Sequence, residues 1–244
     1  MNAIGGPTIG ILGGMGVKAT GPFLELLIDE CQRQYGASQQ SDYPEMIIFS
    51  WPTPLRFGAA FDASAFAARV AEGVRRLSGT GVDLIAIPAN LPHLYWDSFA
   101  GEATVPLLNM IDIATSQLPD GGSVALLAAR PTRDSGIYQK ILEARGTRVI
   151  ATDEMQDRID AILTSLWSGG DPTAIRARWN DLIECSTRAA ATSALLACTD
   201  LNAVDRWSDV PIPIVDATRA LAAKVISTWV DLARTGSVVT DRPG

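Results

Sequence analysis

Short apolar runs alternate with segments of helical periodicity along most of the chain. The runs are Thr8–Leu12, Met46–Phe49, Leu84–Ile87, Val124–Leu127, Arg148–Ala151, Leu195–Ala197 and Ile212–Val215. Two intervening segments, Ser64–Leu77 and Thr173–Ala190, carry apolar residues at helical spacing. Buried strands that alternate with helices indicate parallel sheets connected by crossover helices, and therefore an α/β fold.

One pattern occurs twice. The segment Val82–Asn90 reads VDLIAIPAN and the segment Thr192–Asp200 reads TSALLACTD, so each is a buried strand that ends in a small residue before a short polar step. Ala89 and Cys198 occupy equivalent places in the two segments. The pattern favours an internal duplication, although chance similarity between two buried strands also explains it. Because ligands bind beyond the carboxyl ends of strands in open α/β sheets, two such ends facing each other would form a two-sided site.

Charge and residue counts exclude several classes of function. The net charge is −7, which disfavours nucleic acid and anionic membranes as partners. No apolar run reaches the roughly 18 residues of a membrane helix, and the N-terminus lacks the basic region of a secretion signal. There are three cysteines and one histidine, with no CxxC pair, so we expect no metal site. Widely spaced thiols fit a reducing compartment, and we predict a cytoplasmic protein.

A glycine-rich turn follows the first predicted strand. Gly13, Gly14 and Gly16 allow a positive φ and a close approach of backbone to ligand, and a helix around Thr20–Gln34 would direct free N–H groups at an anion. Gly14, Gly16 and Ala19 also fit the dinucleotide pattern G-x-G-x-x-A. That pattern requires an acidic residue at the end of the second strand, where this chain has Phe49-Ser50-Trp51, so dinucleotide binding is disfavoured. A tight turn without a ligand is the remaining alternative.

Three further residues are candidates for chemistry. Cys198 follows a strand end, where nearby N–H groups could hold a thiolate, but a buried and inert thiol is equally consistent. His93 is either a catalytic base or a local hydrogen-bonding residue. Arg56 follows the second strand and could bind a carboxylate with two hydrogen bonds, or it could be an ordinary solvated arginine. Cys31 and Cys185 lie in helical patterns and are predicted to be structural.

The chain resembles the aspartate/glutamate racemase superfamily in six segments, in the family's order. They are Ile9–Gly16 (IGILGGMG), Pro88–His93 (PANLPH), Leu107–Ile111 (LLNMI), Thr132 with Ser135–Tyr138 (SGIY), Ala197–Asp200 (ACTD) and Pro213–Asp216 (PIVD). The resemblance implies two similar α/β domains, each a parallel sheet flanked by helices, with the active site in the cleft between them. We place the first domain at 1–115 plus 216–244 and the second at 116–215. It also implies no pyridoxal phosphate and no metal.

The resemblance assigns roles to residues. In the family, two cysteines flank the substrate α-carbon; one thiolate takes the α-proton and the other thiol delivers a proton to the opposite face. Cys198 matches the second cysteine. Asn90 and Thr199 match residues that hold the substrate carboxylate, and Arg56 matches the cation that reaches a second carboxylate. The predicted substrate-binding residues are Gly14, Met15, Gly16, Arg56, Asn90, Leu91, Thr132 and Thr199.

The chain departs from the family pattern in three places. Ala89 stands where the first catalytic cysteine belongs, and an alanine carries no proton. Leu91 stands where threonine is usual, and Ser168 takes the place of a substrate-binding lysine. Ala89 is either an introduced substitution or natural divergence, and the other two departures favour divergence.

Three functions follow from this pattern. The first is a racemase-type isomerase acting on a small carboxylate such as aspartate or glutamate, with Cys198 as acid/base. The second is a decarboxylase or lyase in which Cys198 protonates one face of a carbanion. The third is a ligand-binding homologue without catalytic activity. The expected partner is a small carboxylate or amino acid, and a homodimer is a common assembly in the family.

Overall fold

The computed structural model describes residues 3–54, 61–205 and 210–236. The chain divides into two compact units, Met1–Asn109 with Leu221–Gly244 and Met110–Ala220. The domain boundaries drawn from the sequence remain a prediction about independently folding domains. Within the described residues, no helix is long and apolar enough to cross a membrane.

The first unit contains a four-stranded parallel sheet. Its strands are β1 (Ile9–Gly13), β2 (Met46–Ser50), β3 (Leu84–Ala86) and β4 (Leu107–Leu108), in the order β2-β1-β3-β4. Its helices are α1 (Thr20–Tyr35), α2 (Ala63–Ser78) and α3 (Asn90–His93). Every residue of β1 is buried, as its apolar run predicts. The apolar face of α2 packs in the same core, and the Asp62 carboxylate caps this helix by accepting the Ala65 N–H at 2.9 Å.

The second unit repeats this plan. Its strands are β5 (Ser123–Ala128), β6 (Arg148–Ile150), β7 (Ser193–Ala197) and β8 (Ile214–Asp216), in the order β6-β5-β7-β8 and again all parallel. Its helices are α4 (Met110–Ser116), α5 (Arg130–Asp134), α6 (Ile137–Glu143), α7 (Asp153–Trp167), α8 (Pro172–Arg188) and α9 (Asn202–Asp205). The last helix, α10 (Ala217–Thr235), begins in this unit, and its residues from Leu221 onward belong to the first unit.

Five short 3₁₀ segments complete the described structure: Val17–Ala19, Gln40–Asp42, Trp96–Ser98, Ala100–Glu102 and Thr199–Leu201. All seven apolar runs predicted as strands overlap strands of the structure, and the two helical segments correspond to α2 and α8. The two-residue strand β4 was not predicted. The last residues, 236–244, are predicted from their position and composition to be a frayed tail; of them only Gly236 is described, and it follows the end of α10.

The shared strand order confirms that the two units are similar. In each unit the first strand lies centrally, between the second and third strands, and the fourth strand pairs with the third. β3 and β7 are therefore equivalent strands. Cys198 follows β7 directly, and Ala89 follows β3 after Ile87 and Pro88. Ala89 has φ −155° and ψ 134°, and Cys198 has φ −142° and ψ 116°. The equivalence proposed from the sequence pattern thus extends to the backbone.

Candidate active site

Cys198 lies at the carboxyl end of β7, where the chain enters the 3₁₀ turn Thr199–Leu201. Its side chain is buried, and the backbone N–H groups of Asp200, Leu201 and Ala129 lie close enough to the sulfur to lower the pKa of the thiol. Burial and, to a smaller extent, the Asp200 carboxylate raise the pKa of this thiol to about 12, against the opposing effect of the three N–H groups. Near neutral pH the thiol is therefore protonated, and the nearby N–H groups favour the thiolate when it forms.

The other two cysteines lie within helices, as predicted. Cys31 is fully buried in α1 and Cys185 is buried in α8, and neither is in a disulfide. Burial raises the pKa of both thiols. Neither follows a strand end, so Cys198 is the one cysteine placed where ligands bind in α/β sheets.

The equivalent position of the first unit has no thiol. Ala89 is buried and is followed directly by α3, in which Asn90 is buried and Leu91 is half-buried. Pro92 is the third residue of α3 and has no backbone N–H to offer. This strand end therefore presents a methyl group and a buried amide side chain where the second unit presents a thiol.

His93 has a local structural role. Its Nδ1 lies 2.8 Å from the carbonyl oxygen of Ala89, which can only accept, so Nδ1 donates a hydrogen bond there. Burial lowers the pKa of this imidazole to about 4, against the opposing effect of its backbone hydrogen bonds. The ring stacks on Trp96 with centroids 5.6 Å apart. His93 is therefore neutral near pH 7 and orients the backbone at Ala89, as in the local hydrogen-bonding interpretation.

The glycine-rich turn follows β1 and is tightly packed. Gly14 has φ +88°, and the turn continues through the half-buried Met15 to the exposed Gly16. The Gly14 N–H donates to Thr20 Oγ1 at 3.0 Å, so this amide has a partner within the protein. A Cβ atom at Gly14 would lie 2.6 Å from the backbone nitrogen of Trp51. The tight-turn interpretation is thus correct for Gly14, and ligand binding by this turn remains a prediction.

Replacing Gly14 with alanine is expected to lower the free energy of unfolding substantially. The positive φ alone costs a non-glycine residue roughly 1–3 kcal/mol, and the contact with the backbone of Trp51 adds to that. Gly101→Ala is the matched control because Gly101 is exposed, has no positive φ and has no heavy atom within 4 Å of its Cβ position. The control is expected to be neutral or stabilising by up to about 1 kcal/mol. Urea denaturation measures both, and equal stabilities of the two variants would contradict the packing argument.

Two of the remaining predicted residues, Thr132 and Thr199, lie near Cys198 in the second unit. Thr132 is buried in α5, just after β5, and Thr199 is half-buried in the turn after Cys198. Both therefore lie at the same sheet edge as the Cys198 sulfur, beyond adjacent strands of the second unit. Arg56 lies outside the described residues. Within 3–54, 61–205 and 210–236, no three His, Cys, Asp or Glu side chains are grouped as a metal site requires.

Comparisons with known proteins identify the family. The family model described as Asp/Glu/Hydantoin racemase matches residues 12–225. A broad specificity amino-acid racemase of Bacillus subtilis (strain 168), RacX, is 36% identical over 222 residues, which cover 91% of this chain and 97% of that protein. The chain belongs to the Asp/Glu/Hydantoin racemase family. It is accordingly an enzyme of the isomerase class.

Solved structures of racemases share the fold. An aspartate racemase of Picrophilus torridus superposes with a TM-score of 0.77 at 27% identity, covering 92% of this chain and 95% of its own. An aspartate racemase homologue from Pyrococcus horikoshii OT3 gives a TM-score of 0.72 at 24% identity, covering 91% and 99%. The predicted α/β architecture with two similar domains is therefore confirmed for this member of the racemase family.

One contact in this racemase-family chain was not predicted from the sequence. The indole N–H of Trp167, the last residue of α7, donates to Asp200 Oδ2 at 3.0 Å, although the two residues are 33 positions apart. Trp167 is 40% exposed, so an indole ring reaches solvent beside the turn after Cys198. Ser168, matched to the family's lysine, instead donates its hydroxyl to Thr164 O at 2.9 Å. Nothing in the sequence around Trp167 indicates its hydrogen bond to Asp200.

Proposed function

We propose that this chain is a pyridoxal-phosphate-independent, racemase-type isomerase that acts on a small amino acid such as aspartate or glutamate. Cys198 is the acid/base that exchanges a proton with the substrate α-carbon. The observation that carries the proposal is the position of the Cys198 sulfur at the carboxyl end of β7, near the backbone N–H groups of Asp200 and Leu201 from the turn after β7 and of Ala129 after β5. These donors stabilise the thiolate relative to the thiol, which a cysteine base requires.

The substrate carboxylate is the second element of the proposal. Abstraction of an α-proton places negative charge on the carboxylate as an enolate-like group, so donors fixed at that group lower the barrier. Asn90, Thr199 and the turn Gly13–Gly16 are the proposed donors, with Met15, Leu91 and Thr132 contacting the substrate around them. Arg56 is proposed to pair with a second carboxylate, in a bidentate geometry that favours dicarboxylic amino acids.

The protonation state of Cys198 decides which half of the reaction it performs first. With a pKa of about 12, Cys198 is a thiol near neutral pH. It therefore starts as a proton donor and acts as a base only after it has been deprotonated. Because Ala89 carries no proton, only one face of the α-carbon meets an acid/base in this proposal. Racemisation is then slow, and proton exchange with retained configuration is the faster process.

A one-base decarboxylase or lyase is the second candidate. It is favoured by the protonated thiol of Cys198 and by an alanine, which carries no proton, at the equivalent position 89. In that reaction the bond from the α-carbon to one carboxylate breaks, and CO₂ leaves. The electron pair remains on the α-carbon and takes the proton of Cys198, which solvent then restores. A catalytically inactive binding homologue is the third candidate.

Incorporation of deuterium at the α-carbon tests the proposal. In D₂O, we expect NMR to show α-proton exchange for one enantiomer of aspartate or glutamate, with configuration retained. The matched controls are Cys198→Ala, which removes the proposed base, and Cys185→Ala, which removes a buried thiol of α8 in the same unit. Release of CO₂ from a substrate with two carboxylates on one carbon, without exchange on amino acids, would transfer the assignment to the decarboxylase. Neither activity, together with thermal stabilisation by carboxylates, would indicate the binding homologue.

The proposed setting is the cytoplasm, and the proposed assembly is a homodimer. All three cysteines are unpaired and buried, which fits a reducing compartment. Sedimentation equilibrium of the purified chain determines the assembly directly.

A further inference from the structure

We infer that Asn202 and Asp216 form a buried clamp that keeps the turn after Cys198 closed over its sulfur, so both act as positioning residues. The clamp deepens the proposed function, because it acts on the thiol to which that proposal assigns the proton transfer. It also accounts for the segment Pro213-Ile-Val-Asp216, for which no role has been given.

The clamp is made of two polar side chains with very little exposure. Asn202, the first residue of α9, is 4% exposed, and Asp216, the last residue of β8, is 6% exposed. The Asn202 Nδ2 group donates to Asp216 Oδ2. The other oxygen, Asp216 Oδ1, accepts the N–H groups of Thr218 at 2.8 Å and Arg219 at 3.4 Å. A buried carboxylate requires such partners, so the clamp is held on one side by the start of α10.

The position of Asp216 in the sheet explains why the clamp acts on Cys198. β8 pairs with β7 in a register that places Asp216 beside Leu196, two residues before Cys198. The turn Thr199–Leu201 begins after Cys198 and ends before Asn202. The hydrogen bond from Asn202 to Asp216 holds the end of the turn at the same sheet edge. One end of the turn is therefore fixed by the strand and the other end by the clamp.

Fixing both ends determines where the amides of the turn point. The N–H groups of Asp200 and Leu201 lie near enough to the Cys198 sulfur to lower the pKa of the thiol, and both residues lie between the two fixed ends. The turn itself contains one backbone hydrogen bond, from Leu201 N to Cys198 O at 3.1 Å. Without Asn202, the turn loses its attachment at the far end and admits water to the sulfur.

The charged groups around the turn come from three elements. Asp200, on the turn itself, acts on the thiol and accepts the Trp167 indole N–H from α7. Asp216 comes from β8, and Arg219 of α10 lies 3.4 Å from its Oδ2 atom. Because Asn202 is uncharged, its replacement by alanine leaves all of these charges in place and tests the attachment alone.

Alkylation of Cys198 by iodoacetamide, followed by peptide mapping, measures the closure of the turn. We expect Asn202→Ala to alkylate at Cys198 about tenfold faster than the unmodified chain at pH 8. Water that reaches the sulfur lowers the pKa that burial has raised. A decrease of about one pKa unit gives about tenfold more thiolate, which is the form that reacts. Cys185 is the internal control, since it is buried in α8 of the same unit. The alkylation rate of Cys185 should change by less than about twofold, because the substitution leaves the pKa of that thiol nearly unchanged.

Further variants separate the clamp from general loss of stability. Asp171→Ala removes the N-cap of α8, whose carboxylate accepts the Thr173 and Ala174 N–H groups, and should lower thermal stability without a selective change at Cys198. Asn202→Asp places two carboxylates together and should open the turn as Asn202→Ala does. The exchanged pair, Asn202→Asp with Asp216→Asn, restores a donor and an acceptor and should return the Cys198 rate toward that of the unmodified chain.

An unchanged Cys198 rate in both Asn202→Ala and Asn202→Asp would overturn the clamp, as would a rise that Cys185 matches. These measurements need no substrate. If the proposed function fails, α-proton exchange is absent from the unmodified chain, while the alkylation pattern of the clamp variants still holds. In an active enzyme, the clamp additionally predicts that Asn202→Ala lowers kcat with little change in KM.

Discussion

Replacing Ala89 with cysteine is expected to raise the rate of racemisation by about 100-fold, at the lower end of the roughly 10²–10⁴-fold that general acid/base groups contribute. The substitution supplies a second thiol at the strand end equivalent to that of Cys198, with matching backbone conformation. Chiral chromatography of both enantiomers of aspartate and glutamate measures the rate. The double variant Ala89→Cys with Cys198→Ala is the control, because it again has a single thiol.

The lower end of the range follows from the donors at position 89. The Cys198 sulfur has N–H groups from Ala129 and from the residues two and three positions later. The corresponding donors in the first unit would be Gly14, Leu91 and Pro92. Gly14 already donates to Thr20, and Pro92 has no N–H, so a thiolate at position 89 is supported less well. If Ala89→Cys gives no gain on any acidic amino acid, the two-base racemase should be abandoned and the decarboxylase preferred.

Replacing Cys198 with alanine is expected to reduce α-proton exchange by at least about 100-fold, since no other described side chain at this strand end replaces the thiol. Thr199 and Asp200 follow it, but a hydroxyl is a far weaker acid, and the carboxylate of Asp200 is engaged by Trp167. Deuterium incorporation measured by NMR gives the rate. Cys185→Ala, a change of the same size in α8, should leave the rate within about twofold, because that thiol lies away from any strand end.

Each outcome of the Cys198 experiment has a distinct meaning. Loss of exchange with an intact thermal transition assigns the chemistry to the thiol. Exchange that persists in Cys198→Ala would contradict the role of Cys198 and would require another base. A loss of equal size in Cys185→Ala would mean that the change acts through the stability of the second unit.

The sequence predicts the strands well because they read as short continuous apolar runs, and the central strands β1, β3, β5 and β7 are buried almost throughout. It misses β4, whose two residues, Leu107 and Leu108, are too few for any periodicity to develop. The repeated pattern ending at Ala89 and Cys198 predicts their equivalence, because a strand end followed by a polar step is a local feature. Prediction from the sequence therefore succeeds for the strands and for this equivalence, where the information lies within about ten residues.

Contacts between distant segments could not be predicted. The hydrogen bond from Trp167 to Asp200 depends on the path of α7 across the second unit, and that of Asn202 with Asp216 depends on the pairing of β7 with β8. Hydrophobic periodicity fixes which face of an element is buried but does not fix which polar side chains meet at its end. The same holds for the Gly14 amide, whose partner Thr20 is set by the geometry of the turn.

The exposed indole of Trp167 is a fluorescent reporter for the turn after Cys198. The chain has six tryptophans, and Trp207 lies outside the described residues; among the other five, Trp167 alone is exposed, whereas Trp179 and Trp229 are fully buried. A neutral collisional quencher such as acrylamide therefore meets this ring before the buried ones. A ligand that covers the ring or draws Asp200 away from its N–H changes the emission of this one fluorophore. Binding at the turn can thus be followed by tryptophan fluorescence in the unlabelled protein.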